Sequence, residues 1–335
     1  MVAVISRVEK ITSQPGSGWL NLDKPVGLSS AQLLTKVKRL LSIKKLGHAG
    51  TLDPFASGVL PVAVGEATKL MPYIVDQEKE YRFTVSWGIN TDTDDITGQI
   101  ISQHQFMPSQ QAIEQVIQHF VGDIQQVPPI YSALKINGQR SYSLARARQP
   151  IESLKSRLVR VFKLEVLSHT EGETSFFLCC GKGTYVRSLA RDMGRNLGTG
   201  GCVKSLRRLR VGIFKDIESI SLETLKNIGH IVSSSGAGVD FLRPLHTGLD
   251  DIPVVCITGK EYQDLRCGRP VLLTAERYNH NVSGFRDGFV PTLQARVQDR
   301  LVAITSFVQG YLKSIRVLNI NFEERNKIDV DQSGT

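Results

Sequence analysis

One stretch, Gly47-His48-Ala49-Gly50-Thr51-Leu52-Asp53-Pro54-Phe55-Ala56-Ser57-Gly58-Val59-Leu60-Pro61, gathers residue types suited to chemistry around a single carboxylate. Glycines and a proline on either side of Asp53 dictate a tightly shaped loop, and glycine lets a ligand approach the backbone closely. His48, five residues earlier, adds a flat, base-like aromatic group. A lone carboxylate serves as a nucleophile or a general base and must be ionised to do either. A solvated Asp already is ionised at neutral pH, and a neighbouring arginine would hold it so. Arg187, closing Gly181-Lys182-Gly183-Thr184-Tyr185-Val186-Arg187, is the candidate partner; its ordinary alternative is a surface arginine. Asp before Pro is equally the signature of a helix N-cap with Pro at the first helical position, so both readings of Asp53 stand.

Tyr81 and Tyr185 are the aromatic groups that could stack on an unstacked base, a contact worth ~1–3 kcal/mol. Tyr81 alternates with polar residues and fits simple core as well; Tyr185 follows a Gly-rich turn, which favours exposure. Lys204-Ser205-Leu206-Arg207-Arg208-Leu209-Arg210 is the densest basic run, either a phosphate contact or a solvated face. The chain has no phosphate-binding Gly-x-x-x-x-Gly-Lys-Ser/Thr loop, no dinucleotide glycine fingerprint and no His-Glu-x-x-His helix. Chemistry run by side chains alone, without cofactor or metal, is what remains.

These residues need elements to hold them. Trp19–Asp23 reads as a short strand. A helix follows, capped by Ser29 or Ser30, with Leu33, Leu34, Val37, Leu40 and Leu41 as its apolar stripe and Gly47 as its stop. Alternation of Tyr81, Phe83, Val85, Trp87 and Ile89 predicts a strand over 81–89. The acidic Thr91–Asp95 stretch lacks the glycine and terminal Glu of a calcium loop and reads as a turn or surface contact. A helix is expected from Ser109 to Val121, a polar hairpin at Asn137-Gly138, strands at 158–167 and 174–180, and a helix from about Thr184 whose Arg187, Arg191 and Arg195 share one face. Ser233–Gly236 looks like linker, and the short apolar runs after Pro253 suggest a small β module.

Net charge is +9, with 41 Lys+Arg against 32 acidic residues, so an anionic partner such as nucleic acid is suggested but not required. The five cysteines form no Cys-x-x-Cys pair, and their odd number argues against a disulfide framework. A reducing, cytoplasmic compartment is expected. No apolar run is long enough to span a membrane, and the first residues do not resemble a secretory signal.

Taken in order, Asn21–Pro25, Gly47–Pro54 with Gly58–Pro61, Tyr81-Arg82, Tyr131–Lys135, Lys182–Arg187 and Leu206–Leu209 resemble the motifs of the bacterial tRNA pseudouridine-55 synthase (TruB) family. The resemblance covers residues 18–250, after a tail of residues 1–17. It implies an α+β catalytic domain around a mixed central sheet, with an RNA-gripping insertion at about 127–150. A weaker likeness, in Leu265–Gly268 and Leu301–Leu318, implies a small β-rich PUA-like RNA-binding module over 251–321, with a loose tail at 322–335. By the same resemblance the essential Asp falls on Asp53 and the loop histidine that displaces the target base on His48. The stacking tyrosine falls on Tyr81, with Tyr185 and Leu206 as further pocket residues. Arg187 is paired with the Asp, and Lys24 supports the loop. The implied substrate is the uridine of the tRNA TΨC loop, converted to pseudouridine by a monomer with no cofactor and no obligatory protein partner. A non-catalytic RNA-binding protein, a guide-RNA-dependent pseudouridylase and a basic hydrolase with Asp53 as a mere helix cap are the rival readings.

Overall fold

The computed structural model describes residues 16–132, 134–136, 138–141, 147, 154–227, 242–273 and 292–320. The chain divides into two compact units, Gly18–Arg243 and a second made of the residues before and after it; the family resemblance places this division at 250–251.

The first unit carries strands β1 (Gly18–Lys24), β2 (Leu46–His48), β3 (Ser57–Val64), β4 (Lys79–Trp87), β5 (Ile89–Thr91), β6 (Ile100–Gln103), β7 (Gly122–Gln126), β8 (Lys135–Ile136), β9 (Gln139–Arg140), β10 (Arg157–Thr170), β11 (Glu173–Cys180), β12 (Gly201–Val211) and β13 (Phe214–Lys215). Among the described residues, nine of them form one sheet in the order β1-β3-β12-β4-β11-β10-β7, with β2 on β3 and β13 on β12. β3 and β12 run parallel and the other neighbours antiparallel, so the sheet is mixed. Helices α1 (Ser30–Leu40), α2 (Met71–Val75), α3 (Gln110–Val116) and α4 (Val186–Asn196) accompany it.

Two cores hold the sheet. Phe83, Val85 and Trp87 of β4 pack with Phe176 and Leu178 of β11, Ile113 of α3 and Leu189 and Met193 of α4. Leu20, Leu22, Leu60, Val62 and Val64 pack against Leu33 and Val37 of α1. Each such side chain, fully buried, contributes roughly 1.5–3 kcal/mol. The alternation in β4 is the expected one, but the strand stops at Trp87. Gly88 turns with φ +79, where a Cβ would stand 2.8 Å from the His104 carbonyl oxygen, and Ile89 opens β5 instead.

Ser29 caps α1 through a reciprocal capping box with Gln32. The helix ends at Leu40, before Gly47. That glycine sits in β2, where the Met71 sulfur leaves only 2.5 Å for a Cβ, so its role is close packing rather than helix termination. The predicted Ser109–Val121 helix is an α-helical turn pair followed by a 3₁₀ turn over Ile117–Phe120, capped by Ser109. α4 begins at Val186 with Tyr185 in the capping position, two residues later than the sequence suggests. β8 and β9 pair as the expected hairpin, with Gly138 at φ +84. Asn137, Arg146, Arg148, the Ser233–Gly236 linker and both chain ends (1–15 and 321–335) lie outside the described residues.

In the second unit β14 (Val254–Cys256), β15 (Val271–Leu272), β16 (Thr292–Val297), β17 (Arg300–Val308) and β18 (Tyr311–Val317) form a sheet ordered β14-β16-β17-β18-β15. It also holds a helix that the sequence pattern does not announce, α5 (Gly259–Arg266), capped by Thr258 and Glu261. Tyr262 of α5 is fully buried, and its hydroxyl donates to the Leu318 carbonyl at 2.7 Å.

Candidate active site

The Gly50–Val59 loop is secured residue by residue. Ser30, at the start of α1, accepts a hydrogen bond from the Leu52 amide at 2.9 Å and donates to the Leu52 carbonyl at 3.0 Å. Lys24, fully buried at the end of β1, donates to the carbonyls of Pro25 (2.9 Å) and Leu28 (2.6 Å) and reaches that of Pro54 (3.5 Å). The Gly27 amide donates to Pro54 O at 2.8 Å, and the Ala56 amide donates to Asp53 O at 3.1 Å. No helix begins at Asp53: a turn follows and β3 starts at Ser57. The helix-cap reading of Asp53 is therefore excluded.

The carboxylate faces another way. Arg187 Nε donates to Asp53 Oδ2 at 2.9 Å; the arginine side chain is 4% exposed, that of Asp53 33%. One edge of the carboxylate is gripped and another is open. Arg187 Nη1 donates to Thr93 O at 2.9 Å and Nη2 to Tyr131 O at 2.8 Å. The guanidinium thus joins three segments that are remote in sequence, which an arginine fork does and a lysine cannot.

Of the two readings of the acidic 91–95 stretch, the turn holds and the surface contact does not. Asp95 is buried, lies 3.8 Å from Arg187 Nη1, and accepts from the Thr93 hydroxyl and the Thr97 amide and hydroxyl. Asp94, at φ 59, pairs with Arg191 at 3.0 Å. Backbone bonds Val203 N to Asp94 O and Ile96 N to Val203 O anchor the stretch to β12. Its charges answer the arginines of α4, in keeping with the one-face spacing of Arg187 and Arg191; Arg195 stays exposed beside Asp192.

A cleft of about 440 Å³ lies over Asp53, within the range of small-ligand sites. His48, Tyr81, Tyr185, Arg187, Leu206 and Arg208 line it with Asp53, so every pocket residue singled out in the sequence comes to one place. His48 sits on β2, Tyr81 on the buried face of β4 and Leu206 on β12. Tyr185 is held by the Gln126 side chain, which accepts from its amide at 2.8 Å and donates to its carbonyl at 3.1 Å. Lys24 lies beneath the loop rather than in the cleft wall. Among the described residues, no cluster of three His, Cys, Asp or Glu is placed to hold a metal ion.

The basic run in β12 is matched to carboxylates of the protein itself, with Lys204 and Arg207 still partly exposed. Arg207 pairs with Asp23 and Asp216, Arg210 with Glu80 (2.8 Å) and Glu78 (3.3 Å), and Lys204 with Glu173. Arg208 is buried outright. Two groups that the sequence does not single out, Asp95 and Arg208, stand at the heart of the site; a buried charge carries no local sequence signal.

Burial pushes the Asp53 carboxyl above its ordinary range, Arg187 pulls it down and Asp95 pushes it up again; the net direction is upward. The arginine thus opposes the cost of burial without cancelling it. Burial also brings Lys24 and Lys79 down to about 8.

Known proteins share this architecture. Residues 38–186 match the family model of the TruB family pseudouridylate synthase N-terminal domain, and residues 187–250 that of the tRNA pseudouridylate synthase B C-terminal domain. A tRNA pseudouridine synthase B of Nitrobacter winogradskyi is 44% identical over 91% of this chain and 83% of its own length. One of Rhodospirillum rubrum is 43% identical over 90% of this chain and 96% of its own. The crystal structure of a Cbf5-Nop10-Gar1 complex contains a chain similar at a TM-score of 0.68 and 26% identity, covering 90% of this chain and 84% of that one. A carboxylate held by a buried arginine at the floor of a base-sized cleft thus stands on a mixed sheet shared with these proteins: the chain belongs to the TruB family of pseudouridine synthases.

Proposed function

We propose that this enzyme isomerises the uridine at position 55 of the tRNA TΨC loop to pseudouridine, with Asp53 as the reacting carboxylate. The observation that carries the proposal is the Asp53 carboxylate, one edge fixed by Arg187 and a third of its side chain open to the cleft. The reaction breaks N1–C1′, turns the uracil and joins C5 to C1′. The C5 proton is lost and N1 takes one up, so no atom is added and nothing is oxidised. Addition of Asp53 to C1′, addition to C6, and proton removal through a glycal all start from the ionised carboxylate.

The target atoms are hidden in a folded RNA loop, so the base is flipped at a cost of a few kcal/mol. Stacking on the Tyr81 ring and entry of His48 into the vacated space offset that cost, with Leu206 and Tyr185 closing the sides. The 127–150 insertion grips the RNA loop. Residues 251–321 add RNA contacts as a PUA-like module. The enzyme works as a monomer in the cytoplasm, needing neither protein partner nor guide RNA.

Purified protein incubated with an unmodified TΨC stem-loop should yield pseudouridine at that one uridine, mapped by mass spectrometry. Asp53→Asn should bind the stem-loop and leave it unchanged. Product from Asp53→Asn, or none from the parent protein without added partners, refutes the proposal.

A further inference from the structure

Arg208 enters none of the roles above, yet it lies under all of them. On β12 it is registered against Gly58 of β3 on one side and Tyr81 of β4 on the other. Its backbone comes so near Gly58 that a Cβ there, at φ +103, would stand 2.2 Å from the Arg208 carbonyl oxygen; only glycine fits. The side chain is 1% exposed. Its Nε donates to Val59 O at 2.7 Å, one Nη donates to Gly50 O at 3.0 Å and the other reaches Thr51 O at 3.5 Å. Arg208 and Tyr81 are registered neighbours on β12 and β4 and both line the cleft; burial pushes the Tyr81 hydroxyl's pKa up, and the guanidinium charge draws it down against that push. Gly50-Thr51 and Val59 are the two ends of the loop that bears Asp53, and Tyr81 is the cleft ring proposed to stack on the base.

Among the described residues no carboxylate forms an ion pair with Arg208. A buried cation met by carbonyls alone costs stability, and neutral donors would tie a loop more cheaply. What a guanidinium adds is planar geometry: several donors at fixed angles, meeting both ends of the loop at once while the strand register seats the group beside Tyr81.

We infer that Arg208 is a positioning residue that fixes the distance between the Asp53 loop and the Tyr81 ring, and with it the approach of the carboxylate to the stacked nucleoside. This rests on the proposed role of Asp53. Displacing a reacting group by about 1 Å costs on the order of a hundredfold in rate while leaving remote contacts with the RNA intact.

Arg208→Lys, Tyr81→Phe and the double variant test it, through single-turnover rates and dissociation constants on the unmodified stem-loop, with thermal melting as the fold control. Arg208→Lys should lower the rate on the order of a hundredfold with affinity within about threefold of the parent. Tyr81→Phe, which keeps the stacking ring and removes only the hydroxyl, should lower the rate by less than Arg208→Lys does, with affinity unchanged. The double variant should be no slower than Arg208→Lys within about twofold, since both act on one linkage. Affinity and rate falling together, unaffected rates in folded variants, or losses that simply multiply would each overturn the inference. If Arg208→Lys does not fold, Tyr81→Phe decides alone: a slower rate at constant affinity supports the linkage, and an unchanged rate overturns it. An active parent with unaffected variants overturns this inference only; an inactive parent overturns the proposed function and this inference with it.

Discussion

Replacing Arg187 by lysine tests how the site is held together, because it keeps the charge and removes the fork. The guanidinium makes three separate contacts, to Asp53 Oδ2 at 2.9 Å, Thr93 O at 2.9 Å and Tyr131 O at 2.8 Å. A lysine ammonium can sit beside Asp53, where the opposite charge draws it, but cannot also reach carbonyls on two other segments. Two buried acceptors then lose their donors, at roughly 1–3 kcal/mol each, or about 2–6 kcal/mol together. For a unit of this size each kcal/mol lowers the melting temperature by about 2–4 °C, so the variant should melt roughly 4–24 °C lower. Asp53 should remain ionised yet misplaced, with turnover down on the order of a hundredfold. Differential scanning calorimetry and single-turnover assays on the stem-loop measure both. A variant that melts within about 2 °C of the parent would show that the three-way clamp does not bear on stability, and the reasoning would fail.

Asp53→Asn should abolish turnover without the loss of about 1 kcal/mol that removing a helix cap would bring, because burial already disfavours the ionised carboxyl; chemical denaturation of the two proteins checks this. Since that carboxyl is raised and its proposed role needs it ionised, single-turnover rate should climb with pH through a midpoint above the ordinary Asp value of 3.8; a midpoint at or below that value would contradict it. Lys24 and Lys79 titrate near 8 in the folded protein against 10.5 for an ordinary lysine, so the unfolded chain holds more protons between those values and stability should rise with pH across that window. Comparison with a Lys24→Met, Lys79→Met double variant, which should lack that rise, isolates the effect. Arg207→Ala and Arg210→Ala should leave the salt dependence of stem-loop binding unchanged, because both arginines are neutralised by carboxylates within the protein. A slope shallower by about 0.7–0.9 per variant would put them on phosphate.

Local pattern was enough for much of this molecule. The Ser29 cap, the Leu33–Val37 stripe of α1, the alternation of β4 and the glycine-bracketed loop around Asp53 are all written in short-range spacing, since helix and strand periods are short-range properties. The ordered motifs marked Asp53, His48, Tyr81, Tyr185, Arg187 and Leu206, and these do line one cleft. Composition misled where charge was at issue. Asp92–Asp95 and Lys204–Arg210 look like surface in sequence, yet Asp95 and Arg208 are buried and Arg207 and Arg210 are matched to acidic partners on other strands. The α5 helix and the Gly47 contact were likewise invisible. Whether a charged side chain meets solvent, phosphate or a carbonyl depends on which strands become neighbours, and the parallel seating of β12 beside β3 decides that for Arg208. The residues that line the cleft were legible in the sequence. Of the groups that hold them in place, Arg187 and Lys24 were read from the motifs, whereas Asp95 and Arg208 were not, because their roles exist only once distant segments are brought together.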